Sequence, residues 1–315
     1  MAHEIVVFRP GALGDTLLTC DALQVLRYRY PDASIELVGN APAGALLRDA
    51  GLVDRVTSFD SSDVLGLFRN APILSPRWRS VAIAVVWLAS PGPIAAALRE
   101  AGVLEVVAAH PEPVQPHVHV ADHLVATLNG LRRDRLQIPG PLPQVQLCAM
   151  ARGNASQPVI FLHPGSGSPK KNWPAREFAA VARALVAHRQ PLVVLCGPAD
   201  EAALGDLAVE MGEDLPPVLT PPDLLSLADA LVACSLLIGN DSGVSHLSAR
   251  LAVPTVAVFG VTDPRCWAPR GPSVVVVGGS GRWPSAADVL VAVDRIVPGL
   301  VGAAGAPLEQ DTNRE

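Results

Sequence analysis

Three short segments combine residue types suited to holding a charged group and moving a proton. The first is Arg9-Pro10-Gly11-Ala12-Leu13-Gly14-Asp15-Thr16, a glycine-rich turn between an aliphatic run and an amphipathic one. It has neither the GK[ST] of a P-loop nor the GxGxxG of a dinucleotide site. A helix start ordinarily attracts an anion, because its first N–H groups are unpaired and the helix dipole is positive there. This one carries Asp15 instead. Two roles suit that carboxylate: N-cap of the helix, a place where aspartate is favoured, or general base taking a proton from an incoming hydroxyl. The residues alone leave both open.

The second segment is His163-Pro164-Gly165-Ser166-Gly167-Ser168-Pro169-Lys170-Lys171-Asn172-Trp173-Pro174. Small residues let a backbone approach phosphate, hydroxyls add donors, and a lysine adds a compact positive charge. A solvated surface loop has the same composition, but its place after an aliphatic run favours phosphate. The third segment is Gly239-Asn240-Asp241-Ser242-Gly243-Val244-Ser245-His246-Leu247. Here a strand feeds a polar turn and a helix opens, so N–H groups and the helix dipole face a diphosphate, with His246 placed to donate to it. An ordinary capped turn with a packed histidine remains the alternative. A fourth group, His117, His119, Asp122 and His123, has metal-ligand residue types. Val118 and Val120 alternate with the first two histidines, and Asp122 and His123 open an amphipathic pattern through Leu124, Leu128 and Leu131, so no metal is expected there.

The chain of 315 residues is long enough for two domains. Half of it is hydrophobic, with 17% charged residues and a mean hydropathy of +0.33, as sheets buried on both faces require. A net charge of -6 argues against nucleic acid as a partner. Cys20, Cys148, Cys196, Cys234 and Cys266 form no CxxC pair and read as reduced thiols of a cytoplasmic protein. No signal peptide is visible ahead of the first aliphatic run, so none is expected. The stretch Val81–Leu98 is interrupted by Pro91, Gly92 and Pro93, so it reads as a strand, a turn and a helix start rather than a membrane span. A local basic patch would be the feature to touch an anionic membrane surface.

Aliphatic runs alternate with helical patterns. Strands are expected at Glu4–Arg9, Ser34–Gly39, Arg55–Phe59, Val81–Leu88, Val103–Ala108, Val159–His163, Leu192–Cys196, Leu236–Gly239, Thr255–Phe259 and Val274–Val277. Helices are expected at Thr16–Tyr30, Ala43–Ala50, Pro174–His188, Asp223–Ala233, Val244–Leu251 and Ser285–Ile296, with Pro174 in its first turn and the last helix a candidate to cross back to the first half. Such alternation implies parallel, doubly wound sheets. It lapses at 138–158, where Pro139, Pro141, Pro143 and Pro158 mark a linker, and then restarts. The expected domains are 1–145 and 155–300, followed by a disordered tail, 301–315. Two α/β units then face a cleft at the carboxyl ends of their strands.

Taken together the three segments resemble glycosyltransferase family 9, the ADP-heptose:lipopolysaccharide heptosyltransferases. RPGALGDTLLTCDALQVLRYRYPDASIELVG is similar to that family's opening, HPGSGSPKKNWP to its H-P-G…K-x-W-P loop, and GNDSGVSHLSARLAVPTVAVFG to its D-[ST]-G-x-S-H-L-x-A segment and following strand. ADHLVATLNGL resembles its mid-chain helix. The resemblance implies a GT-B fold of two Rossmann-like domains, with the acceptor on the first and the nucleotide sugar on the second. It implies inverting, metal-independent transfer without a cofactor, from a nucleotide sugar such as ADP-heptose to a saccharide or glycolipid acceptor such as a lipopolysaccharide core, at the cytoplasmic face of the inner membrane. Asp15 then matches the base and Lys171 the phosphate-binding lysine, with Ser166 near a phosphate-binding hydroxyl. Asp241 matches the acid that contacts the donor sugar, and Gly243 and His246 match phosphate-side positions. The diphosphate is thereby expected between Gly165–Lys171, Gly167 included, and Ser242–His246. Basic residues that would read the acceptor (Arg9, Arg27, Arg29, Arg48, Arg55, Arg69, Arg77 and Arg79) show no cluster beyond the last pair. A GT-B transferase of another nucleotide sugar, or a non-catalytic sugar-nucleotide-binding relative, would share the cleft. A nicotinamide dehydrogenase would carry GxGxxG, which is missing after the first strand of either half.

Overall fold

The computed structural model describes residues 4–69, 75–131, 147 and 159–300. Strands β1 (Glu4–Arg9), β2 (Ser34–Gly39), β3 (Arg55–Ser58), β4 (Val81–Trp87) and β5 (Glu105–Ala109) form one sheet, in the order β3-β2-β1-β4-β5 and parallel throughout. Strands β6 (Val159–His163), β7 (Leu192–Leu195), β8 (Val218–Leu219), β9 (Cys234–Asn240), β10 (Thr255–Phe259) and β11 (Val274–Gly278) form a second, in the order β11-β10-β9-β6-β7-β8, also parallel. Helices α1 (Leu13–Leu17), α2 (Cys20–Arg29), α3 (Ala41–Asp49), α4 (Ser62–Leu65), α5 (Gly92–Glu100) and α6 (Val120–Thr127) accompany the first sheet. Helices α7 (Ala175–Ala187), α8 (Glu201–Met211), α9 (Leu224–Ala233), α10 (Gly243–Arg250), α11 (Pro264–Trp267) and α12 (Ala286–Ile296) accompany the second. These are two doubly wound α/β domains.

Strand alternation sorts each sheet's side chains onto two cores. Ile5 and Val7 of β1 join the cluster under α2, while Val6 and Phe8 join the one under α5 with Trp78. In each sheet the strand order reverses beside a central strand, between β1 and β4 and between β6 and β9. The turns after β1, β6 and β9 therefore open at switch points, where a crevice forms. All three candidate segments lie on those turns.

Several elements differ from expectation. The helix expected at Thr16–Tyr30 is broken at Leu18–Thr19, where the Thr19 hydroxyl donates to the Thr16 carbonyl at 2.6 Å and the Thr19 N–H bonds the same oxygen. Pro174 is the N-cap of α7, not a residue of its first turn. Helix α8 has only a thin apolar stripe of Ala203, Leu207 and Met211 around Gly205, too weak to stand out from the sequence. The closing helix α12 does not cross back. It buries Val289, Ala292 and Val293 against β10, β11 and α7, covering its own sheet. The linker at 138–158 lies outside the described residues except Leu147, which is buried and donates its N–H to the Arg250 carbonyl. The tail 301–315 lies outside them as well. Among the described residues no helix is long and apolar enough to cross a membrane.

The halves meet along α1–α10 and α3–α9, and one apolar cluster runs through both, from Leu17 and Leu23 to Leu231 and Leu247. Around it Asp21 accepts from Arg250 at 2.8 Å and Arg270 at 3.0 Å, and Arg270 also reaches Asp122. Burial alone would raise the Asp21 pKa, but the two guanidinium groups, Arg250 foremost, bring it below the ordinary value. At the centre, a Cβ on Gly243 would lie 2.8 Å from the Leu13 Cβ and 3.0 Å from the Gly14 nitrogen, neither of which yields easily. Gly243→Ala should therefore cost about 1–3 kcal/mol, the usual scale of overpacking. Gly205→Ala, with open space around it, should add about 0.5–1 kcal/mol by helix propensity. Urea denaturation of the two variants checks this; two equal shifts would contradict the packing argument.

Candidate active site

The turn after β1 is built around Asp15. Ala12 is the N-cap of α1 and its side chain has nothing to accept with, so Asp15, at the third helical position, reaches back to take the Ala12 N–H on Oδ2 at 2.9 Å. It is thus not an N-cap, and of the two roles left open by the sequence the capping one survives only in this reversed form. Its Oδ1 takes a hydrogen bond from the Arg9 guanidinium at 2.7 Å. Arg9 is 6% exposed, while the Asp15 side chain keeps 32% of its surface. Gly11 has φ +140° and a Cβ there would meet Asp15 Oδ2 at 2.6 Å, so glycine serves both conformation and space.

The loop after β6 is fixed from below by two buried polar groups. Asn240 donates to the Pro164 carbonyl at 2.7 Å and to that of Gly165, and accepts the Trp173 N–H at 2.9 Å. His163 Nε2 lies 3.0 Å from Asp200 Oδ2, which also accepts the Gly197 N–H, and His163 Nδ1 lies 3.4 Å from the Ser242 hydroxyl. Burial would raise the Asp200 pKa, but the His163 contact and the Gly197 N–H outweigh it and the value is lowered. A Cβ on Gly165 would collide with the Asp200 carboxylate, which requires glycine there. Ser166 turns into its own loop: its Oγ lies 2.6 Å from both the Ser168 carbonyl and Asn172 Oδ1.

The turn after β9 is capped by Ser242, whose Oγ accepts the Ser245 N–H, while the Ser245 hydroxyl donates to the Asn240 carbonyl at 2.6 Å. Asp241 is the hub. Its Oδ2 accepts from Thr262 at 2.7 Å and from the Lys171 ammonium at 3.2 Å, and its Oδ1 lies 4.0 Å from His246 Nε2. Burial pushes the His246 imidazole down to about 4 from its ordinary 6.5, so the ring is neutral at neutral pH.

One cavity of about 100 Å³ collects Asp15, Gly167, Lys171, Asp241, Ser242, Gly243 and His246, with Ala12, Gly14, Leu18 and Trp267. Gly165 and Ser166, grouped with these by sequence, line no part of it. Beside it lies a cavity of about 380 Å³ walled by His163, Leu195–Pro198, Pro221–Leu224 and Val244, with Leu13 and Pro42 from the first half. The arrangement sets a carboxylate on one wall against an ammonium, a neutral imidazole and the N-terminus of α10 on the other. Thr262, Trp267, Asp200 and Asn240 were not singled out by sequence; of these only Asn240 stood in a quoted motif.

The histidines set aside as metal ligands are engaged elsewhere. His119 accepts the Ala121 N–H as the N-cap of α6 and lies 3.0 Å from the Ala268 carbonyl, His117 pairs with Asp263, and His123 bonds the His110 carbonyl. Among the described residues no group of three or more metal-ligating side chains occurs. Cys20, Cys196 and Cys266 are free thiols, and burial pushes that of Cys20 up to about 12, whereas Cys148 lies outside the described residues. Among the described residues, several arginines of the first half are paired internally, including Arg27 with Asp54 and Arg55 and Arg77 with the buried Glu36.

The chain is 24% identical over 301 residues to lipopolysaccharide heptosyltransferase 2 of Salmonella typhimurium, covering 83% of this chain and 84% of the relative. Its fold matches the structure of E. coli ADP-heptose lps heptosyltransferase II with a TM-score of 0.72 at 20% identity, over 93% of this chain and 98% of that one. It matches a glycosyl transferase family 9 structure from Veillonella parvula with a TM-score of 0.71 at 22% identity, over 93% and 97% of the two chains. The GT-B architecture is therefore shared. The model of glycosyltransferase family 9 (heptosyltransferase) matches residues 80–290, and with both doubly wound domains and their shared cavity in view, the chain belongs to that family of glycosyltransferases.

Proposed function

We propose that this glycosyltransferase moves a heptose from ADP-heptose to a saccharide acceptor of the lipopolysaccharide core, with inversion and without a metal. The observation that carries the reading is the convergence of Asp15 with Lys171, Asp241, Ser242, Gly243 and His246 on one cavity between the two sheets. The similarity to a lipopolysaccharide heptosyltransferase and to an ADP-heptose enzyme supports this choice of donor and acceptor. Asp15 is the base that takes the acceptor proton. Lys171, the α10 N–H groups and the Ser242 hydroxyl hold the diphosphate, which becomes the leaving group on the face opposite the base. The cavity of 380 Å³, a size typical of ligand sites, receives the nucleoside. His246 acts as a neutral N–H donor to the leaving phosphate, while Asp241 reads sugar hydroxyls.

Three results test this. Lys171→Ala should weaken ADP binding by about 1.5–3 kcal/mol, the range for hydrogen bonds to charged groups. The lower end is expected because bound phosphate must first displace Asp241 from the ammonium. Calorimetric titration checks it, and ADP binding should be unaffected by EDTA; unchanged affinity in the variant, or loss with EDTA, refutes the assignment.

Asp15→Asn should keep donor affinity and lose turnover by about 10²–10⁴-fold, the worth of a general base. From sequence alone its melting temperature would barely move. The structure predicts a lower one, because Asn gives buried Arg9 only a neutral partner. Wild-type turnover in this variant would remove Asp15 from the chemistry.

His246 sets a pH dependence. Unfolded it protonates near 6.5, folded only near 4. The unfolded state therefore binds the extra proton first, and the stability from His246 is present above pH 6.5 and lost as pH falls toward 4. Urea stability of the wild type should fall more steeply across that window than that of His246→Gln; parallel curves would contradict a buried neutral imidazole.

A further inference from the structure

We propose that Arg9 is a positioning residue for glycosyl transfer, holding the Asp15 carboxylate in the orientation from which it faces the acceptor hydroxyl; this rests on the reading of Asp15 as the base. Arg9 ends β1 and is buried to 6% exposure. A guanidinium keeps its charge when buried, so it needs a carboxylate. Among the described residues its ion-pair partner is Asp15, at 2.7 Å. The fork is tied at a second point, NH1 donating to the Pro10 carbonyl at 3.2 Å, which fixes its plane against the turn. Its Nε is buried without a partner.

Asp15 needs no arginine to serve α1, since the Ala12 N–H already occupies Oδ2. What Arg9 adds is control of Oδ1. With one oxygen held by the turn and the other by the strand end, the carboxylate is fixed at both ends while a third of its surface stays open to the cavity. Arg9 itself lines neither that cavity nor its neighbour. Its influence on turnover therefore passes through Asp15.

The test measures ADP release from ADP-heptose with heptose-deficient lipopolysaccharide as acceptor, each rate normalised to ADP-binding sites so that misfolded protein drops out. Arg9→Leu should lower kcat by about 10–100-fold, the scale of a misplaced reacting group, with donor KM within about twofold of wild type. Arg9→Lys keeps the charge but cannot hold both Asp15 and the Pro10 carbonyl, and should recover part of the loss. In the Asp15→Asn background Arg9→Leu should cause no further loss, as expected of residues acting as a unit. Should Arg9→Leu not fold, Arg9→Lys alone carries the test through a lowered kcat at unchanged KM. Wild-type kcat per site in the Arg9 variants, or losses that multiply in the double variant, would overturn the proposal. A fully active Asp15→Asn single variant would instead overturn the base itself, separating the two failures.

Discussion

The close approach of Gly14 on α1 to Gly243 on α10 is the constraint on which the site depends. Two short helices start at the switch points of two different sheets, and the missing Cβ of Gly243 lets their first turns touch, since a Cβ there would lie 2.8 Å from the Leu13 Cβ and 3.0 Å from the Gly14 nitrogen. That contact brings Asp15, one residue beyond Gly14, opposite the turn that carries Asp241, Ser242 and His246. A cavity between domains with its polar groups on helix starts follows from geometry, since parallel strands deliver their turns to one edge. The Asp21–Arg250–Arg270–Asp122 ion network and the continuous apolar cluster then hold the halves in register around it.

Electrostatics within the cavity is asymmetric. Asp15 is paired with a buried arginine and Asp241 with a lysine, so each carboxylate has a cation of its own. The two cations differ in freedom. Arg9 is locked under its turn, whereas Lys171 has a flexible stem, 30% exposed, and in the proposed function its ammonium exchanges Asp241 for phosphate. Neutral His246 adds a donor without adding a third charge to a buried space, which its deep burial would penalise. The rigid pair suits a group that must stay in place, and the mobile one suits a ligand that arrives and leaves.

Much of this was readable in the chain. Aliphatic runs such as EIVVFR, VAIAVVW and TVAVF name buried parallel strands, and the glycine-rich turns after them mark the crevice. Asp15, Lys171, Asp241 and His246 were legible because each sits in a local pattern. Asp200, Thr262 and Trp267 were not, because nothing near them in sequence signals their role: Asp200 matters through His163, Thr262 through Asp241, and Trp267 through the wall it completes. Ser166 is the opposite case. Its hydroxyl sits in a phosphate-like context, yet the loop turns it inward to Asn172. The break in the first helix was hidden because Leu17, Leu23 and Leu26 keep helical spacing across Thr19.

The central claim is that the diphosphate and the base occupy opposite walls of this one cavity. A crystal structure of the chain with a non-transferable ADP-sugar analogue tests it most directly. The account predicts phosphates between Lys171 and the N-terminus of α10, with the anomeric carbon presenting to Asp15 the face turned away from its phosphate oxygen. Phosphates bound elsewhere, or Asp15 on the same side of the sugar as the leaving oxygen, would contradict it.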